Sequence, residues 1–358
     1  MSNRKFWIVS STILLVAVVT IFAPGITQEI NHGSIVCKNN CFQSIQVSSI
    51  ENLQEIIGKD AQIEKVAEGF KFIEGPVWHP KGFLLFSDIP ENTIYQWQPN
   101  QEVKIFRNPS GNANGNTLDL EGRLITGEHS NRRVSRTEKD GKIVTIVDEY
   151  NGKRLNSPND LVVKSDGSIY FTDPPYGIKS EQEELGFYGV YRIAPDGKLT
   201  LLIDDFVRPN GIALSPDETK LYVNDSEKGH IRIFDIKSDG TLENGRIFAE
   251  LKDPNKRGVP DGMKVDLQGN IYSTGPGGVW VFSASGKLLG IIAVPEKVAN
   301  LAWGNNDYKT LYLTASKSLY RINLKVTGVK PFHGSQKSVG ANGHSPVQVR
   351  FDRLKTLI

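Results

Sequence analysis

The sequence predicts an all-β fold, a single six-bladed β-propeller preceded by a hydrophobic N-terminal segment. A polar residue stands at the head of a short alternating apolar run six times between residues 74 and 300, at intervals of 39 to 51 residues. In four of these units a glycine follows the polar residue by eight positions, where a turn joins two strands. Repeats of this length, made of short strands and tight turns, are typical of propellers with one four-stranded blade per repeat.

The six head residues are the first candidates for a functional site. They are Glu74, Asn114, Asn159, Asn210, Asp261 and Asn300. Because the first strand of each blade lines the central channel, we expect these side chains to converge on one axis, and we call the set the polar ring. Each Asn or Asp alone is also a common turn residue. Turn chemistry does not explain why the first member is a glutamate before Gly75 and Pro76.

Length and charge exclude several classes of protein. All-β domains of about 250 residues are commonly single domains, so the 358 residues do not require a second one. Basic and acidic residues nearly balance, 42 against 40, and no block of like charge suggests a nucleic-acid partner. The sequence identifies no protein partner either.

The termini lack the repeat pattern. We divide the chain into a signal peptide or membrane anchor (1–28), a linker (29–59), the propeller (60–326) and a C-terminal tail (327–358). An uncharged apolar run over 6–23 follows Arg4 and Lys5, so either reading predicts export to the periplasm or the extracellular space, with membrane attachment if the run is not cleaved. In an exported chain, Cys37 and Cys41 predict a small disulfide loop.

Closure of the propeller is predicted to involve both ends of the repeat region. Propellers commonly remove their free edges by building one blade from two distant stretches of chain. Residues 63–73 precede the first repeat and alternate in the same way. We therefore expect them to supply an outer strand to the last blade.

Four motifs together carry a family resemblance over roughly residues 67–324. They are EGPVW at 74–78, SPNDLVV at 157–163, RPNGIALS at 208–215 and PDGMKVD at 260–266. In this order and spacing they resemble the gluconolactonase and regucalcin (senescence marker protein/gluconolactonase/LRE-like) superfamily of six-bladed calcium propellers. The resemblance implies a divalent metal in the channel, with ligands at Glu74, Asn159, Asn210 and Asp261.

The ligand types agree with that implication. Two carboxylates and two amide carbonyls form an all-oxygen set, which favours Ca²⁺, with Mg²⁺, Zn²⁺ and Mn²⁺ as alternatives. Calcium takes about six to eight ligands, so four protein oxygens leave positions for water or substrate. A calcium ion that only ties the blades together is the structural alternative.

The resemblance implies hydrolysis of a small lactone or ester. The cation would polarise the carbonyl, and Asp261 is the implied proton acceptor and later donor. A carboxylate beside a cation has a lowered pKa, so a further group must raise that pKa if Asp261 is to act as a base. The candidate substrate-binding residues are Asn114, Asn159, His129 and Tyr176.

Some of these assignments have plain alternatives. His129 follows the inner strands of the second blade and could relay a proton near neutral pH, or it could be a surface histidine bonded to a loop. Tyr176 lies on a loop over the same channel mouth, where packing is an equal alternative. Regucalcin-type relatives carry a substrate-contacting arginine at the position of Ser157, and Arg154 is the nearest replacement in this sequence.

Two other function classes remain open beside a sugar lactonase. An aryl-ester or phosphotriester hydrolase, like the paraoxonase and fluorophosphatase propellers, would use the same metal and ring. A non-catalytic ligand-binding propeller stabilised by calcium is the third class. Activity on gluconolactone separates the first class from the second, and absence of turnover in metal-loaded protein favours the third.

Overall fold

The computed structural model of the chain describes residues 42–43, 53–58 and 61–331. The predicted signal or anchor segment, the Cys37–Cys41 pair and most of the predicted tail lie outside these residues. Within the described ranges, no helix has the length and apolar character needed to cross a membrane.

Six antiparallel four-stranded sheets confirm the predicted propeller. Each sheet runs outward from its first strand in simple up-and-down order, and the sixth is completed by a strand from before the first blade. From the channel outward the strands are Ile73–His79, Phe83–Asp88, Thr93–Trp97 and Lys104–Arg107 in blade 1; Ala113–Leu118, Leu124–Glu128, Arg133–Thr137 and Ile143–Val147 in blade 2; Leu161–Val163, Ile169–Asp173, Tyr188–Ile193 and Leu199–Phe206 in blade 3; Pro209–Leu214, Lys220–Asp225, His230–Ile236 and Leu242–Glu250 in blade 4; Met263–Val265, Ile271–Gly275, Gly278–Phe282 and Leu288–Ala293 in blade 5; Val298–Gly304, Thr310–Ala315, Ser318–Asn323 and Ile63–Glu68 in blade 6.

A few short elements decorate these blades. Phe42–Gln43 adds a fifth strand outside blade 6. A helix spans Leu53–Ile56, and a 3₁₀ turn spans Ser180–Gln182 in the connection between the second and third strands of blade 3. A two-residue hairpin pairs Glu149–Tyr150 with Lys153–Arg154.

The last blade is closed as predicted. Ile63–Glu68 pairs antiparallel with Ser318–Asn323. The Arg321 guanidinium donates to Glu64 Oε2 at 2.8 Å across the seam. Because the two ends of the repeat region share one sheet, blade 6 joins the start of the propeller to its end and closes the ring of blades.

Apolar side chains fill the space between neighbouring blades. The strands alternate, so the residues on each face of a blade pack against the next blade. At the junction of blades 1 and 6, Trp78 stacks on Tyr312 with ring centroids 5.4 Å apart. At the junction of blades 5 and 6, Tyr272 meets Trp303 edge to face at 5.0 Å. These buried aromatic contacts fix the angle between blades and thereby the position of their inner strands.

Candidate metal centre at the polar ring

Members of the polar ring stand at irregularities in the inner strands. The pairing of first and second strands shifts register between Glu74 and Val77, and an equivalent shift includes Asn210 between Pro209 and Ile212. Such a bulge turns one side chain away from the alternating pattern, and bulges are common beside functional sites. The same shift occurs next to Asn114 and Asn300. The local backbone therefore aims polar residues at the channel from strands whose other side chains are mostly apolar.

Glycine follows the ring residue in four blades because the next blade approaches closely. A Cβ at Gly75 would overlap the backbone carbonyl of Asn114, and one at Gly211 would overlap that of Asp261. Hydroxyl groups add direct links at the same junctions. Thr172 Oγ1 donates to the Asn210 carbonyl at 2.8 Å, across the junction of blades 3 and 4. These contacts tie the backbone of each ring residue to the neighbouring blade.

The three ring asparagines of blades 2, 3 and 4 form a chain of amide hydrogen bonds. Asn114 Nδ2 donates to Asn159 Oδ1, and Asn159 Nδ2 donates to Asn210 Oδ1 at 2.5 Å. All three side chains are buried. The repeat thus brings together side chains that are 45 and 51 positions apart in sequence.

The two ring carboxylates interact with each other. Burial raises the pKa of Glu74 well above its ordinary value, and the negative charge of Asp261 raises it further. Burial also raises the pKa of Asp261 to about 7, although the Lys297 charge and a hydrogen bond from Asn210 act in the opposite direction. Asn300 donates a hydrogen bond to Glu74 and so completes the ring from the sixth blade.

Asp160 adds a third buried carboxylate that the sequence did not single out. It follows Asn159, where most other blades have glycine, and its charge raises the pKa of both Glu74 and Asp261. Its Oδ2 accepts no hydrogen bond within the described structure and lies 3.8 Å from the Lys264 ammonium. Asp160 is therefore a nearby charge that raises the pKa of Asp261, a partner that could not be identified from the sequence.

His129 is buried beside the ring, so the alternative of a surface histidine is wrong. Its Nε2 lies 3.2 Å from Asn114 Nδ2 and 3.3 Å from Asn159 Oδ1. Burial lowers its pKa to about 4, against a smaller opposite effect of the bond to Asn159. At neutral pH the imidazole is uncharged, which suits a hydrogen-bonding role more than proton transfer.

Tyr176 extends from its loop towards the ring. Its hydroxyl lies 3.5 Å from Asn210 Nδ2, and 42% of the residue remains exposed at the channel mouth. Ser226, from blade 4, donates its hydroxyl to the Pro260 carbonyl and accepts from Asn210 at 3.0 Å. A ligand above the ring would meet both hydroxyl groups.

Arg154 does not take the place of the arginine that regucalcin-type relatives carry at the position of Ser157. Arg154 is exposed, and its guanidinium donates to the Asn131 carbonyl at 2.8 Å. Ser157, by contrast, is fully buried beside the ring and accepts a hydrogen bond from the Gly177 backbone at 2.8 Å.

The donor set fits a divalent cation of the calcium type. Burial of Glu74 and Asp261 among neutral amides opposes the ionisation of both carboxyl groups, and a cation between them would remove that opposition. Each of the four candidate ligands carries an oxygen donor, the type that Ca²⁺ and Mg²⁺ prefer. Across the described residues, no cluster of three or more His, Cys, Asp or Glu side chains is arranged to hold a metal. The candidate centre therefore depends on amide oxygens beside its two carboxylates.

Comparison with known proteins identifies the family. The sequence profile of the SMP-30/Gluconolactonase/LRE-like region matches residues 72–317, well over half of the chain. The protein therefore belongs to the SMP-30/Gluconolactonase/LRE-like family.

Individual relatives agree with this assignment. A gluconolactonase of Zymomonas mobilis is 36% identical over 303 residues, covering 77% of this chain and 85% of its own. A pentonolactonase of Haloferax volcanii is 26% identical and covers 72% of this chain and 93% of its own. The solved structure of a gluconolactonase from Xanthomonas campestris superimposes with a TM-score of 0.72 at 35% identity, covering 79% of this chain and 95% of that one.

Proposed function

We propose that the protein hydrolyses a small lactone at the polar ring, with a bound divalent cation, Ca²⁺ in first place, and with Asp261 as general base and acid. Its relatives are lactonases, and the chain is a lactone-hydrolysing enzyme. The observation that carries the finer proposal is the pair of buried, interacting carboxylates of Glu74 and Asp261, beside the hydrogen-bonded amides of Asn159 and Asn210.

Glu74, Asn159, Asn210 and Asp261 would hold the cation. Their side chains supply two negative charges and two neutral carbonyl oxygens, which balances a divalent ion. When bound, the cation supplies Lewis-acid polarisation of the lactone carbonyl.

Asp261 is suited to move the proton. Burial raises the pKa of Asp261, which favours a carboxylate that accepts a proton from the attacking water and returns it to the departing ring oxygen. Asp160 sustains this basicity through its own negative charge. A cation lowers the pKa of Asp261, so the opposing charge of Asp160 becomes more important when the metal is present.

The remaining polar groups would position the substrate. Asn114 Nδ2 and His129 Nε2 lie 3.2 Å apart beside the ring, and the Tyr176 hydroxyl lies near Asn210. Neutral His129 can donate or accept one hydrogen bond without adding charge. Asn159 contacts both Asn114 and Asn210, so it is placed to contribute to metal and substrate binding alike.

Hydrolysis of δ-gluconolactone by chelator-treated protein, before and after calcium is restored, tests the proposal. We expect the activity to be lost with the chelator and to return with the metal. Phenyl acetate and a phosphotriester in the same assay separate the paraoxonase-like alternative. Calcium-loaded protein that hydrolyses no lactone would overturn the proposal, and binding without turnover would favour a non-catalytic propeller.

We also propose that the propeller is exported and that residues 6–23 serve as its signal or anchor, with Cys37 and Cys41 oxidised. The support is the apolar run behind two cations and the close cysteine spacing. Cell fractionation combined with thiol alkylation tests this. Protein recovered in the cytosol with both thiols reactive would contradict it.

A further inference from the structure

The loop that carries Tyr176 is fastened to the floor of the site by one buried side chain. Ser157 is fully buried, and its backbone N–H donates to Asp173 Oδ1 at 2.7 Å. Its Oγ accepts the backbone N–H of Gly177 at 2.8 Å. Because Asp173 ends the second strand of blade 3, the hydroxyl of Ser157 is held on a rigid element two positions from Asn159.

Gly177 also packs directly against His129. A Cβ at this position would overlap His129 Cβ and Ser157 Oγ. Only glycine therefore allows the loop to come this close to the ring. The residue before it, Tyr176, is thereby placed at a height set by Ser157 and His129 together.

The Arg208 side chain lies near the Tyr176 ring. The Arg208 guanidinium lies 5.7 Å from the centroid of Tyr176 and 5.8 Å from that of Tyr188. The two tyrosines differ in where their hydroxyls point. The Tyr188 hydroxyl donates to Glu183 Oε1 at 3.0 Å, whereas the Tyr176 hydroxyl lies over Asn210. A tyrosine hydroxyl can both donate and accept a hydrogen bond.

We propose that Ser157 and Gly177 are positioning residues for Tyr176, and that Tyr176 is the residue that selects hydroxylated lactones over unsubstituted ones. This deepens the proposed function and rests on it. The Tyr176 hydroxyl lies 3.5 Å from Asn210 Nδ2, at the exposed mouth of the channel. A substrate hydroxyl can bond to the Tyr176 hydroxyl there, whereas a bare lactone cannot, and a site that hydrogen-bonds a substrate hydroxyl discriminates against analogues that lack it.

Kinetics on a matched pair of substrates test this. The pair is δ-gluconolactone and δ-valerolactone, which share the reacting ring and differ in their hydroxyl groups. Tyr176→Phe keeps the aromatic ring over Arg208 and removes only the hydroxyl. We expect kcat/KM for δ-gluconolactone to fall about 3- to 10-fold, mainly through KM, and kcat/KM for δ-valerolactone to stay within about 2-fold. Tyr188→Phe is the matched control and should change neither.

Ser157→Ala tests the positioning role. Without the hydroxyl that accepts from the Gly177 N–H, the loop should no longer hold Tyr176 in its position above the ring. The ratio of kcat/KM for δ-gluconolactone to that for δ-valerolactone should therefore fall by a factor similar to that of Tyr176→Phe. The double variant should be no worse than Tyr176→Phe alone, because both changes act through one side chain. Calcium titration by calorimetry should give all variants the affinity of the wild type, which shows that the ring is intact.

The failures are distinguishable. Wild-type protein that hydrolyses neither lactone overturns the proposed function and, with it, the inference. The wild type could hydrolyse lactones while Tyr176→Phe lowers kcat/KM equally for both substrates, or for neither. The selection role of Tyr176 is then wrong, but the proposed lactonase function is not contradicted. Additive losses in the double variant would overturn the role of Ser157 as a positioning residue.

Discussion

Two groups of buried carboxylates in this propeller have pKa values shifted in opposite directions. Glu128, at the end of the second strand of blade 2, is fully buried and is bonded by the guanidinium groups of Arg107 and Arg133. Its burial raises its pKa, but these bonds outweigh burial and hold the pKa below the ordinary value of a glutamate. Glu74 and Asp261 are similarly buried, yet their nearest described partners are amides and each other, and their pKa values are raised.

The difference distinguishes a carboxylate that stabilises the fold from carboxylates that are candidates for a functional site. Glu128 has its counter-charge within the chain, so its ion pairs are complete when the protein folds. For Glu74 and Asp261, burial opposes ionisation and the Lys297 charge offsets only part of that effect, so ionising both carboxyl groups costs stability that a cation would restore. Perturbed carboxylates in a channel mouth are therefore better evidence for a site than carboxylates that are merely buried.

The largest effect on stability should come from the paired group. Glu128→Gln leaves the buried Arg107 without its charge partner, so we expect a loss of about 3–5 kcal/mol in the free energy of unfolding. Denaturant titration with and without calcium measures it, and the loss should be the same in both. Glu138→Gln, a pair with Arg136 at the surface, is the matched control and should shift the midpoint little. A loss that calcium reverses would place Glu128 in the metal site instead.

Calcium should stabilise the wild type and not the ring variant. A ligand at about 100 times its Kd adds about 2.7 kcal/mol to the free energy of unfolding when it binds only the folded protein. We expect this gain in thermal unfolding of the wild type and a much smaller one in Glu74→Gln, which has lost one anionic ligand. Equal calcium stabilisation of both proteins would remove Glu74 from the proposed ligand set.

Acid should expose the same contrast on a smaller scale. Because the folded pKa of Glu128 is lowered, its ion pairs contribute stability that is present above the unfolded pKa and is lost as the pH falls through the folded pKa. A difference of one between the folded and unfolded pKa values is equivalent to about 1.4 kcal/mol. Urea denaturation from neutral pH down into the acid range should show a steeper loss for the wild type than for Glu128→Gln. Parallel curves would mean that the pairs do not lower the pKa.

The repeat explains why so much was predictable and why some contacts were not. The six blades and the polar ring follow from one recurring residue and the turn eight positions later, since a propeller maps sequence period onto rotation. The bond from Gly177 to Ser157 joins residues 20 positions apart through a loop that occurs in one blade only, and no period reveals it. Asp160 breaks the glycine pattern of the other blades, and only the fold shows that its charge lies among those of the ring.

Turnover at saturating calcium, compared between Glu74→Gln and Asp261→Asn, tests the central claim most directly. Both variants lose an anionic ligand, so both should need more calcium than the wild type. Once the metal is saturating, Glu74→Gln should recover kcat for δ-gluconolactone, whereas Asp261→Asn should remain about 10²- to 10⁴-fold lower because the proton acceptor is gone. Full recovery of Asp261→Asn at saturating calcium would contradict the assignment of Asp261 as the base.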